Sequence, residues 1–243
     1  MIKVEKLTKH FESDSPILNN ISFDINKGET IAIIGQSGVG KSVLLKHLNG
    51  LIKPDDGKVW VDNTQINNIP FNELQNIRRK MAMVFQFGAL FDSMTINENI
   101  LLAIKNLTRL KKSQYLDRIN NSLNMVDLDN IGDLMPSEIS GGMKKRVGIA
   151  RAIAINPEYI LYDEPTTGLD PITSDKINKL IKKVSKNRKV TSIVVTHDMK
   201  TLKEVVNRVI MLYKGSVIFD GDIDLLFKSK DKYIQYFVTG EKK

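Results

Sequence analysis

From Met1 to Phe23 apolar and polar positions alternate, with Ile2, Val4 and Leu7 in a first run and Ile17, Leu18, Ile21 and Phe23 in a second. The polar stretch Glu12-Ser13-Asp14-Ser15-Pro16 separates them, which predicts two antiparallel strands joined by a loop. Thr30-Ile31-Ala32-Ile33-Ile34 is almost wholly apolar and stops at Gly35, the pattern of a strand covered on both faces. Val43, Leu44, Leu45 and Leu48 then recur at helical spacing as far as Gly50, so a buried strand feeds a helix. Lys58 to Val61, after the turn Pro54-Asp55-Asp56-Gly57, predicts a further short strand.

Between Thr95 and Ala154 the pattern is helical and strong strand runs are missing. Continuous apolar strands resume at Tyr159 to Tyr162 and Val190 to Val195, with a helix at Ser174 to Val184 between them. That alternation belongs to a parallel sheet. Val209 to Tyr213, Lys214-Gly215 and Ser216 to Phe219 predict a closing hairpin. The expected organisation is one α/β domain over residues 1–243. Its core comprises residues 1–90 and 156–243, with an inserted helical subdomain at about 92–155.

Composition narrows the class. A chain of 243 residues, 42% of them hydrophobic, buries roughly three quarters of its unfolded surface without needing a disulfide or metal staple. The absence of cysteine excludes disulfide scaffolds, cysteine–zinc sites, iron–sulfur clusters and thiol catalysis. No run reaches the roughly 18 to 20 apolar residues of a membrane span, and Met1 to His10 lacks a signal-peptide pattern, so a cytosolic chain is expected. The net charge of +8 admits nucleic acid, an anionic membrane surface or a nucleotide as partner. Its clusters at Arg78-Arg79-Lys80, Lys144-Lys145-Arg146 and Lys182 to Lys189 read mostly as solvated helix faces.

The chemistry concentrates in three places. Gly35-Gln36-Ser37-Gly38-Val39-Gly40-Lys41-Ser42 satisfies G-x-x-x-x-G-K-[ST] between a buried strand and a helix. Its glycines let successive N–H groups approach phosphate oxygens at the positive helix end, Lys41 supplies charge to the β- and γ-phosphates, and the Ser42 hydroxyl ligates Mg²⁺. Asp163 and Glu164 follow a buried strand, at the sheet edge where open α/β folds bind ligands. One carboxylate there can hold Mg²⁺ while the other orients an attacking water, and His197, after the next strand, reaches the same edge. Ser140-Gly141-Gly142-Met143 opens a helix with Ser140 as N-cap and amides free to meet an anion, which predicts a second phosphate site that Lys41 does not serve, although by itself the segment reads better as a tight turn capping a helix.

The order of these motifs resembles the ATP-binding cassette (ABC) family across essentially the whole chain. Gly35 to Ser42 matches Walker A, Gln86 the Q-loop, Ile139 to Met143 the signature, and Ile160 to Glu164 Walker B with its following glutamate. Gly168-Leu169-Asp170 matches the D-loop and His197 the switch histidine. Phe11 falls where the family stacks an aromatic ring on adenine, a pattern that a strand-core residue also satisfies. The resemblance implies a P-loop NTPase fold with a RecA-like core, an antiparallel β region and a helical subdomain, using ATP and Mg²⁺. Glu164, His197 and Gln86 would be catalytic; Ser42, Gln86 and Asp163 would face the metal. Phe11, Gly35 to Val43, Ser140, Gly141 and Gly142 would hold nucleotide. It further implies a homodimer in which the signature of one subunit covers the ATP of the other. Met143 and Ile139 depart from the usual glutamine and leucine, but the backbone and Ser140 contacts do not need those side chains.

Ser-Gly-Gly-Met is itself similar to the ATPases of Mla/Mce-type lipid transporters, and so are Phe85 to Phe91, Leu134 to Glu138 and Asp170 to Thr173. Thr166-Thr167 departs from that subfamily. The implied partners are an integral membrane permease docking near Gln86 to Phe91, a Mce-type lipid-binding protein and an accessory cytosolic subunit, with no nucleic acid. The chain would sit peripherally on the cytoplasmic side of the inner membrane. The cluster Phe87, Ala89, Leu90 and Phe91 is either the wall of that docking groove or buried core. The rival functions are transport of another cargo, such as amino acids or metals, and non-transport action on DNA or ribosomes. The coiled-coil insertion, zinc cysteines or second cassette usual in the last class are missing here.

Overall fold

Two sheets organise the computed structural model, which describes residues 1–12, 15–188 and 190–240. Ser13 and Asp14 of the first polar loop, Lys189 of the basic run and residues 241–243 lie outside the described residues. The first sheet is antiparallel and contains β1 (Ile2–Lys9), β2 (Leu18–Ile25), β4 (Asp56–Val61) and β5 (Thr64–Gln65), ordered β2-β1-β4-β5. Val4 stands opposite Phe23 on one side and Val59 on the other. The spacing from Val4 to Leu7 breaks the period of two, yet both side chains are buried. Lys6, at φ 48°, lies in a register shift that returns Leu7 to the core face.

The second sheet contains β3 (Thr30–Ile34), β6 (Met81–Val84), β7 (Tyr159–Asp163), β8 (Thr191–Val195), β9 (Arg208–Tyr213) and β10 (Ser216–Asp222). Its order is β10-β9-β3-β8-β7-β6, parallel except where β10 pairs antiparallel with β9. Alternate side chains serve two cores. Ile31, Ile33, Leu161, Ile193 and Leu212 face the antiparallel sheet and α1 (Lys41–Leu48). Ala32, Ile34, Ile160, Val194 and Met211 join a core shared with the helices from Ile96 onward. The continuous apolar runs are thus explained by burial on both faces.

In the middle of the chain α3 (Ile96–Leu107), α4 (Tyr115–Met125) and α5 (Gly141–Ala154) pack on one another through Ile100, Ile104, Ile119, Leu123, Val147 and Ala150. Thr95 opens α3 with a reciprocal capping box to Glu98. α6 (Pro171–Arg188) begins earlier and ends later than its apolar pattern, because Asp170 Oδ1 accepts the N–H groups of Ile172 and Thr173 and Pro171 suits the first turn. The expected elements do not include β5, β6, α2 (Phe71–Arg78), α7 (Met199–Val205), α8 (Ile223–Phe227) or α9 (Lys232–Thr239). All are short, and β6 is recognisable only through its pairing with β7. Among the described residues no helix is long and apolar enough to cross a membrane.

Candidate active site

β3 delivers the chain to Gly35, whose φ of 148° and contact with the Leu212 carbonyl leave no room for a side chain. Gly40, at φ 103°, ends the loop against Ile17 and Leu18 and starts α1. Both positions require glycine for conformation and for space. Lys41 is buried and folds back so that Nζ donates to the carbonyls of Gly35 at 2.8 Å and Gln36 at 2.9 Å. Burial pushes its pKa down, against the pull of Glu164 and Asp163.

Ser42 Oγ donates to Asp163 Oδ1 at 2.7 Å, so the helix start and the end of β7 meet. Burial raises the Asp163 pKa, while the Ser42 hydrogen bond opposes the rise. Glu164 follows with φ 50°, a conformation that costs a non-glycine residue energy and recurs at functional sites. The Val195 carbonyl accepts its N–H at 2.9 Å. His197 Nδ1 lies 2.9 Å from its carboxylate, and Thr167 Oγ1 donates to Oε2 at 2.9 Å. The His197 side chain is exposed and the Glu164 side chain mostly covered.

A cavity of about 470 Å³ gathers Gly35 to Gly38, Gly40 to Val43, Gln86, Glu164 and His197. Val39 instead packs against the apolar core. Ile17 and Phe237 also line the cavity, outside every motif of the sequence. Ile17 reads as an ordinary strand residue, and Phe237 comes from α9, whose Tyr233, Ile234, Phe237 and Val238 carry the helical spacing that reveals it. Phe11 is 55% exposed, with Lys9 Nζ 5.7 Å from its ring centre, so the strand-core alternative fails for it.

Ser140, Gly141 and Gly142 are not in this cavity. They line a second one of about 320 Å³ with Gly168, Leu169 and Asp170. Ser140 caps α5 by accepting the Met143 N–H. A single chain therefore holds the two expected phosphate sites apart.

The segment after β6 is fixed from two helices. Arg151 of α5 donates to the carbonyls of Gly88 at 2.8 Å and Ala89 at 2.7 Å, and Gly148 leaves space for Gly88 to approach. Buried Asn99 of α3 accepts from the Phe91 N–H and donates to its carbonyl. On this rigid base Phe87 is 77% exposed and Phe91 51%, while Leu90 packs against the core. Buried core is thereby excluded for Phe87, Ala89 and Phe91. The basic cluster on α5 also needs correction: Lys145 is buried beneath the loop that follows Glu164.

A family model described as "ABC transporter" matches residues 18–167. The methionine import ATP-binding protein MetN of Carboxydothermus hydrogenoformans is 40% identical over 210 residues, which cover 86% of this chain and 62% of that protein. The intermembrane phospholipid transport system ATP-binding protein MlaF of Haemophilus influenzae is 36% identical over 241 residues, covering 99% of this chain and 91% of that protein. Among solved structures, the ATP-binding cassette MJ0796, a dimer in a post-hydrolysis state with ADP and phosphate, aligns with TM-score 0.85 and 36% identity. That alignment covers 92% of this chain and 99% of MJ0796. Fold, motif order and relatives agree: the chain belongs to the ABC transporter family, as one of its ATPase domains.

Proposed function

We propose that the chain is the ATP-hydrolysing subunit of a transporter, acting as a homodimer on a separate membrane permease, with phospholipid or a related lipid as cargo. The observation that carries the catalytic part is the doubly held Glu164 carboxylate beside the Ser42–Asp163 pair. Lys41 and the amides of Gly38 and Gly40 hold the β- and γ-phosphates, with Gln36, Ser37, Val39 and Val43 completing the cradle and Phe11 stacking on adenine. The oxygens of Ser42 and Asp163 suit Mg²⁺, a hard cation that takes one or two protein ligands and fills its shell with phosphate and water. Gln86 is the third group facing it. Bound there, the ion neutralises charge on the transferred phosphoryl group.

Glu164 orients the attacking water and accepts its proton, and His197 holds the carboxylate and faces the γ-phosphate. Ser140, Gly141 and Gly142 of the second subunit close over the nucleotide, giving the separate cavity its role. Exposed Phe87 and Phe91 dock the permease on the cytoplasmic face of the inner membrane. A Mce-type lipid-binding protein and an accessory cytosolic subunit are the further partners, and nucleic acid is not one.

Lipid cargo is supported by Ser-Gly-Gly-Met, by Phe85 to Phe91 and by the likeness to MlaF along 99% of the chain. Methionine import is the second reading, favoured by the 40% identity to MetN. The deciding experiment isolates the ATPase with its permease, reconstitutes the complex in vesicles and measures ATP hydrolysis with phospholipid or methionine as candidate cargo. Stimulation by methionine and indifference to phospholipid would reject the lipid reading.

A further inference from the structure

The buried ammonium of Lys145 has no carboxylate within ion-pair distance among the described residues. It donates instead to two carbonyls of the loop after β7, Pro165 O at 3.1 Å and Thr167 O at 2.5 Å. Burying a cation against neutral acceptors costs stability that an apolar side chain of similar size would not cost. Its placement therefore asks for a reason other than stability.

The loop supplies one. Thr167 offers its carbonyl to Lys145 and its hydroxyl to Glu164 Oε2 at 2.9 Å. One residue thus connects α5 to the carboxylate at the end of β7. Thr166, next to it, is buried and faces Asp198 and Thr201 of the following segment, so the loop is held from behind as well. Glu164 needs such support because its φ of 50° is intrinsically unfavourable and its other side-chain partner, His197, is exposed.

We propose that Lys145 and Thr167 are positioning residues that fix the Glu164 carboxylate, with Lys145 acting through the Thr167 backbone and Thr167 through its hydroxyl. The inference rests on reading Glu164 as the water-orienting group. The relay ties the helix capped by Ser140 to the carboxylate of the same chain, so a displacement of α5 moves both. A group that acts only by holding a catalytic carboxylate changes turnover more than nucleotide affinity.

The test uses the full chain with MgATP and measures kcat, KM and melting temperature for Thr167→Val, Thr167→Ser, Lys145→Met and the double variant Lys145→Met/Thr167→Val. Thr167→Val keeps the shape and removes the hydroxyl, and is expected to lower kcat about 5- to 10-fold with KM changed less than about twofold. Thr167→Ser is expected to restore most of the turnover. The double variant should lose less than the product of the single losses, because the two residues act on one group. Unchanged kcat in Thr167→Val, failure of serine to restore it, or multiplicative losses would each overturn the relay. So would a loss of activity that vanishes when rates are normalised to the folded fraction. Glu164→Gln, run alongside, separates the two levels: normal turnover there removes the catalytic reading and the relay with it, whereas a dead Glu164→Gln beside a fully active Thr167→Val removes the relay alone.

Discussion

Ser42 Oγ and Asp163 Oδ1 lie 2.7 Å apart across 121 positions of sequence. The hydroxyl at the start of α1 and the carboxylate at the end of β7 become neighbours because β8 places β3 and β7 on its two sides. Ser42→Ala and Asp163→Asn should therefore share a phenotype. Each is expected to weaken the Mg²⁺ dependence of nucleotide binding by about 10-fold or more, read from Mg²⁺ titrations with a fluorescent ATP analogue. A Ser42→Ala protein with the wild-type Mg²⁺ midpoint would separate the pair from the metal.

Glu164→Gln should leave MgATP binding intact and reduce turnover at least about 100-fold, the scale of a lost general base. The unreacted nucleotide then holds two subunits together. Size-exclusion chromatography with ATP and Mg²⁺ should give a dimer, and substantial residual hydrolysis would remove Glu164 from its role.

Lys41→Ala should weaken ATP binding itself. The loop gives up two internal hydrogen bonds from Nζ, and the proposed phosphate site would lose the cation of Lys41. Affinity for a fluorescent analogue is expected to fall about 10-fold or more, with wild-type affinity as the contrary result.

Phe87 and Leu90 should respond oppositely to a charge. Phe87→Asp, at an exposed position, should leave the melting temperature nearly unchanged and reduce recovery with permease-containing membranes. Leu90→Asp places a carboxylate against the core and should destabilise the isolated protein by about 1–3 kcal/mol. Normal co-purification of Phe87→Asp would place the docking surface elsewhere.

His47 gives a pH dependence. It is buried in α1 with Nδ1 on the Val43 carbonyl, and burial pushes its pKa below the ordinary value of about 6.5, against the backbone hydrogen bonds to Val43 and Lys53. Nearby Lys9 disfavours the proton further, while Asp55 favours it. The unfolded chain thus takes up the proton first. The stability contributed by neutral His47 is complete above about pH 6.5 and is lost as pH falls from there towards the folded value. Thermal unfolding between pH 7.5 and 5, in roughly half-unit steps, should show a smaller acid loss in His47→Asn than in the wild type; equal slopes would reject it.

Local chemistry was legible along the chain. The loop Gly35 to Ser42, the carboxylates at the strand end, the Ser140 cap and the continuous apolar strands depend on neighbours within a few positions, where periodicity and turn chemistry act directly. Sequence thereby determined the family's motifs and the alternation of strand and helix. Tertiary structure alone decided which faces met. It exposed Phe11 and Phe87, brought Phe237 of α9 to the cavity beside the Gly35 to Ser42 loop and buried Lys145 from a cluster that resembles a solvated helix face. It also inserted β6 at the sheet edge and kept the Ser140 cavity apart from Lys41. Those outcomes follow from long-range packing: a side chain's environment is set by the element that lands against it, and the spacing of its own segment carries no record of that partner.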